Sequence, residues 1–150
     1  MIKMTGVIVR VEKHKESLEE VLDEIQSALE DPKGLESHQR RLAMMLSLGV
    51  SELIEVYFHR LDIMKPGARV KHNWIKKKRP HQKLKNQITG DLGEINKLEL
   101  ILDKARVIER SRNDIAYGSP IENEENIKDK IDLFFEIKDI IEEEVGDIIG

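Results

Sequence analysis

Apolar side chains recur at spacings of three and four along most of this chain, and that period permits little besides amphipathic α-helix. Between residues 7 and 29 the series is Val7, Val11, Leu18, Val21, Leu22, Ile25 and Leu29, with Glu and Lys on the opposite face. Val7 to Val11 also alternates as a short strand would, but no clear partner strand exists, so helix is expected. Asp31-Pro32-Lys33-Gly34 is a breaker cluster that ends it. From Leu35 to Leu61 the residues Leu42, Met45, Leu46, Leu53, Ile54, Val56, Tyr57 and Leu61 wrap widely around a helix, which places it near the centre. Gly49 interrupts this run and allows a kink or a close helix contact. A third helix is expected from Pro80 or Thr89 to about Arg110, facing inward with Ile88, Leu92, Ile95, Leu98, Leu102, Ala105 and Ile108. Ser111–Asp114 and Gly118-Ser119-Pro120 then bracket a short segment. A last helix runs from Asn123 to Val145, with Ile127, Ile131, Phe134, Phe135, Ile137, Ile141 and Val145 inward. The expectation is an all-α fold, an up-and-down bundle of four long helices with a short basic helical insertion between the second and third.

The length of 150 residues suits one domain, which buries roughly 70% of its unfolded surface without a staple. The absence of cysteine excludes disulfide frameworks, zinc fingers and cysteine nucleophiles. Charged residues make up 36% of the chain, against about 25% in an ordinary domain, and the Lys and Glu richness is also a thermophile tendency. No apolar run approaches the ~20 residues of a membrane span, and the opening MIKMTGVIVRVEKHK does not read as a secretory signal. A cytoplasmic location is expected.

The charge is unevenly placed. Between Ile63 and Gly90 there is no acidic residue, yet nine of the 25 Lys and Arg fall there: Lys65, Arg69, Lys71, Lys76, Lys77, Lys78, Arg79, Lys83 and Lys85. His72, His81 and the single Trp74 lie in the same island. Phosphate backbones are the commonest partner of such a patch, because neutralising them releases counterions. Trp74 has the chemistry to stack on an unpaired base. The alternatives are charge complementarity with the acidic last helix, within the chain or across a dimer, and a merely solvated face with Trp74 packed on the bundle.

The five histidines show no metal-ligand spacing and no His-Glu-x-x-His motif, so neither a metal nor a cofactor is expected. His59 lies four residues after Glu55, within reach for a hydrogen bond along one helix face. Gly90 and Gly93 follow no strand and form no phosphate-cradling loop.

Arg112-Asn113-Asp114-Ile115-Ala116-Tyr117-Gly118 lies before the final helix, and here the chain resembles the HEPN family. Those domains are bundles of four or five helices. Their signature is an Arg, often followed by Asn, four to six residues before a His, at the junction leading into the last core helix. Arg112, Asn113 and Ala116 match this pattern, and Tyr117 stands where the His is expected. The resemblance implies a single HEPN-like domain over residues 1–150 and a homodimer whose two motifs face one cleft. It further implies binding of RNA or a nucleotide. Active members cleave RNA without metal through the ribose 2′-hydroxyl, the His acting as acid or base and the Arg holding the phosphate. A Tyr, with a reference pKa near 10, is a poor base at pH 7, so weak or absent ribonuclease activity is expected. Arg112 and Tyr117 are the catalytic candidates, and Asn113, Lys71, His72, Trp74, Lys76, Lys77, Lys78 and Arg79 the nucleic-acid candidates. His59 or His72 are the residues that would replace the missing imidazole. The rival is a helical protein-interaction module, partner of a nucleotidyltransferase or part of a toxin–antitoxin pair, without nucleic-acid binding.

Overall fold

A computed structural model describes residues 2–77, 79–116 and 123–148, and only the backbone of residues 2–12, 115 and 116. Six α-helices lie among them. The four long ones are α1 (Ile2–Glu30), α2 (Gln39–Arg60), α5 (Leu98–Ala116) and α6 (Glu124–Val145). The two short ones, α3 (His72–Ile75) and α4 (His81–Lys85), fall in the insertion, and no strand occurs among the described residues. The protein is thus an all-α up-and-down bundle with a basic helical insertion.

The central position belongs to α2, which packs against α1, α5 and α6. Leu42, Leu46, Val50, Leu53, Ile54, Val56, Tyr57 and Phe58 are all buried on it. Residues 35–60 are long and apolar enough to cross a membrane by length and composition, although no such segment was expected from the sequence. Most of that stretch is buried inside the bundle, however, which is the character of a central core helix. Gly49 makes a close helix contact. A Cβ there would lie 2.6 Å from the Phe134 ring of α6 and 3.2 Å from Val21 of α1.

The first helix is continuous from Ile2, so the strand alternative for Val7–Val11 is excluded. Its inward series ends on Ala28, and Leu29 is exposed, one step round the helix. Leu61 likewise lies exposed beyond the end of α2. Phe135 and Val145 are only partly buried on α6. That helix starts as expected, because the Asn123 side chain accepts the Asn126 N–H at 2.8 Å. Gly146, at φ 85°, closes the other end, where the Arg60 guanidinium donates to the Val145 and Asp147 carbonyls.

The expected third helix is displaced along the chain. Residues 88–97 are not α-helical: Ile88 bridges to Met64, Asp91 caps a short 3₁₀ turn by accepting the Gly93 N–H, and Lys97 takes φ 59° just before α5. Gly90 and Gly93 weaken helix formation here. The Tyr57 hydroxyl holds this segment on α2 by donating to the Asn96 carbonyl at 2.8 Å. At the far end, α5 continues through Ser111–Asp114 to Ala116 instead of breaking before them.

The Lys65 N–H donates to the Gln87 carbonyl and the Thr89 N–H to that of Ile63, closing the insertion at its base. Inside the closed loop, Val70, Ile75 and Leu84 reach the core. Substituting Gly49 with Ala gains up to about 1 kcal/mol of helix propensity in principle. Here it drives a methyl into Phe134, and the expected net effect is a loss of ~1–3 kcal/mol in urea unfolding. Pairing it with Phe134→Leu should recover part of that loss relative to the two single variants added together.

Candidate functional site

The buried faces of α2 and α5 carry polar groups that their apolar periodicity would not predict. On α5 the core series Leu98, Ile101, Leu102, Ala105 and Ile108 continues into Glu109, which is 2% exposed. Arg112 follows three residues later on the same side. On α2, Ser47, Ser51 and Glu55 recur every fourth residue and are all buried. Ser47 and Glu55 lie about 12 Å apart along the helix, and each belongs to its own polar cluster.

In the first cluster Ser47 Oγ donates to Glu109 Oε1. Glu109 Oε2 lies 3.4 Å from His72 Nδ1. The Arg112 guanidinium, through Nη1, is 2.8 Å from His72 Nδ1 and 3.2 Å from its Nε2. An imidazole nitrogen accepts from a guanidinium only while it carries no proton of its own. Burial pushes the Glu109 carboxyl above its ordinary 4.5, against the pull of Ser47, His72 and Arg112.

In the second cluster His14 of α1 stands between two carboxylates of α2. Its Nδ1 contacts Glu52 Oε2 and its Nε2 lies 3.3 Å from Glu55 Oε2. The other oxygen of Glu55 accepts the Val70 N–H of the insertion at 2.6 Å. The His59 ring lies 5.4 Å from that of His14. Burial raises the Glu55 carboxyl, and Glu52 beside it pushes the same way; Val70, His14 and Arg69 oppose them.

Both clusters border one cleft of about 510 Å³, between α2, the start of the insertion and α5. Ser47, Ser51, Glu52, Glu55, Arg69, Lys71, His72 and Arg112 supply its polar lining, and Met44, Met45, Leu48 and Val70 its apolar one. That volume is in the range of small-molecule sites. Another recess, beside Leu42 and Ile127, is about 10 Å³ and holds one water at most.

The structure therefore brings together Arg112, His72 and Lys71 among the residues singled out from sequence. Asn113 is half-buried on the last turns of α5. Tyr117 and Lys78 lie outside the described residues. Lys76, Lys77 and Arg79 are exposed and do not line the cleft. Trp74 is packed against the core, with Lys71 and Lys83 ammonium groups 5.9 and 5.8 Å from its ring centre. The acidic face of α6 meets cations from outside the island, since Glu136 pairs with Lys104 and Glu143 with Lys97.

Glu109, Glu52, Glu55 and His14 were not singled out as site residues. Glu109 and Glu55 do leave a signal, a carboxylate at a position where the helical period calls for an apolar side chain. The convergence of His14 with residues on another helix leaves none. No family model matches the chain, and comparison with curated proteins and with solved structures returns no similar protein.

Glu109→Gln tests the buried carboxylate. Its proton is held more tightly in the folded than in the unfolded chain, so this group favours folding at low pH and loses that contribution as pH rises from about 4.5 through the folded value. The Gln variant should lose stability less steeply than wild type over that rise in chemical denaturation. Identical pH slopes would show that Glu109 does not titrate differently on folding.

Proposed function

We propose that the cleft binds the phosphate of RNA or of a nucleotide, with weak or no cleavage, and that it does so in a homodimer. The observation that carries this reading is Arg112 in contact with His72 on the cleft wall, both backed by the buried Glu109. A planar guanidinium beside an imidazole offers several donors to phosphate oxygens. Arg69 and Lys71 add positive charge along the same wall. The HEPN resemblance supports the assignment of Arg112 as the phosphate ligand. Its missing imidazole has a candidate in His72, which reaches Arg112 from the insertion rather than from the motif. Lys76, Lys77 and Arg79 extend the positive surface outside the cleft, and Trp74 serves the packing of the insertion more than the stacking of a base.

The dimer rests on Met44 and Leu48, 60% and 41% exposed on α2 beside the cleft. They form an apolar edge that a second copy would cover. Light scattering should give a mass near twice 17.4 kDa at micromolar concentration. Met44→Glu with Leu48→Glu should shift it to the monomer; a monomeric wild type removes the composite-cleft reading.

Single-stranded RNA should bind with an affinity that falls steeply with salt. Arg112→Ala and Lys71→Ala should each flatten the log–log slope by roughly 0.7 per lost phosphate contact. His72→Gln should weaken binding while leaving the salt slope closer to wild type. Trp74→Ala should lower the melting temperature more than the affinity. If neither RNA nor nucleotides bind at low salt, or the Arg112 variant binds unchanged, the helical protein-partner reading replaces this one.

A further inference from the structure

We propose that His14, Glu52 and Glu55 form a binding site for a divalent transition-metal ion such as Mn²⁺ or Zn²⁺. The site goes beyond the phosphate reading and does not depend on it. One imidazole from α1 and two carboxylates from successive turns of α2 present ligand atoms that all lie within 4.8 Å of one another. Ligands about 2.1 Å from a common ion are separated by about 3.0–3.4 Å along the edges of an octahedron or tetrahedron, and His14 Nε2 and Glu55 Oε2 are 3.3 Å apart. The side chains of His14 and Glu55 are each 7% exposed and that of Glu52 is 17% exposed, so bulk water screens them poorly.

Charge balance argues the same way. With both carboxylates ionised the set carries two negative charges, a state that burial disfavours, as the raised Glu55 carboxyl shows. Buried charge left without a counter-charge is costly. Arg69 contributes from an exposed position, facing Glu55 from the insertion. A dication bound to neutral His14 brings the three groups to zero. An imidazole in the set favours transition metals over Mg²⁺ or Ca²⁺, which prefer oxygen alone.

An independent observation points to a ligand at this place. The Ser51 hydroxyl is buried and has no hydrogen-bond partner among the described residues. It sits one helical turn before Glu55, next to Glu52, and lines the same cleft. A buried hydroxyl without a partner is uncommon, and a metal-bound water or carboxylate oxygen would satisfy it. His38 provides the contrast within the molecule. Like His14 it bridges two carboxylates through its opposite nitrogens, Asp31 at 2.6 Å and Glu24 at 3.1 Å, but those three groups do not offer ligand atoms that all lie within 4.8 Å of one another.

The test uses the full chain, with no nucleotide present, and Mn²⁺ and Zn²⁺ as probes. Calorimetry should show one ion per chain, with a rise in melting temperature on addition. In the native protein Mn²⁺ should broaden the imidazole NMR signals of His14 at lower concentration than those of His38 or His81. His14→Gln and Glu52→Gln should weaken binding by at least tenfold, a loss already seen when merely supporting residues of metal sites are removed. His81→Gln should leave it unchanged. Broadening in the native protein does not depend on any variant folding, so the proposal stays testable if His14→Gln unfolds. Absence of binding at millimolar metal overturns the site. So does broadening that begins at the acidic surface of α6 or at His38, or an affinity unaltered in folded His14 and Glu52 variants. Metal binding without RNA or nucleotide binding would uphold this site and reject the phosphate reading; the reverse result would do the opposite.

Discussion

A helix packed on three sides, as α2 is against α1, α5 and α6, cannot leave a polar side chain on those sides to water. Each such group must meet a partner on another element or keep an unmatched dipole in a medium of low dielectric. Ser47 meets Glu109 of α5, Tyr57 meets the Asn96 carbonyl, and Glu55 meets both His14 of α1 and the Val70 N–H of the insertion. The polar residues of α2 thereby fix where the other elements sit. The apolar contacts give most of the driving force for collapse, but they are non-directional and do not choose these placements.

The insertion shows the consequence most clearly. Its base is closed by main-chain bonds between residues 63–65 and 87–89, and a closed base alone leaves the orientation of the loop open. The Glu55–Val70 bond sets the chain direction just before Lys71 and His72, and Ile75 and Leu84 then bury into the core. That sequence of anchors delivers His72 to Arg112, 40 residues away along the chain. Basic residues beyond these anchors, Lys76, Lys77 and Arg79, remain at the surface because nothing in the core can accept them.

The parts of the fold legible in the sequence are those governed by a single local period. The alternation of three and four gave α1, α2 and α6 nearly to their ends. The same period failed between Ile88 and Ile95, where apolar residues at helical spacing instead serve a bridge and a 3₁₀ turn. Gly90, Gly93 and the left-handed Lys97 override it there. The candidate site was legible only in its cationic half. Arg112, Lys71 and His72 stood out through motif and composition; Glu55 and Glu109 interrupt an apolar period, but their partners, like those of His14 and Glu52, lie 15 to 62 residues away along the chain. Local patterns do not encode such distances.

The two clusters of the cleft are mechanically joined through Glu55. One of its oxygens holds Val70, directly before the residues proposed to face phosphate, and the other faces His14. An ion bound between His14, Glu52 and Glu55 would draw on that second oxygen and leave the Val70 bond in place. It would also withdraw negative charge from the carboxylate, which weakens it as a hydrogen-bond acceptor toward Val70. Metal binding and the seating of Lys71 and His72 are therefore opposed at this one bond and aligned in overall charge, because a dication lowers the negative potential that an incoming phosphate would meet from Glu52 and Glu55. The electrostatic effect acts across the roughly 12 Å separating the two clusters along α2, whereas the weakening removes only part of one hydrogen bond to a carboxylate, whose whole worth is about 1.5–3 kcal/mol. In a partly buried cleft the long-range charge term is the larger, so occupation of the two ends is expected to be cooperative.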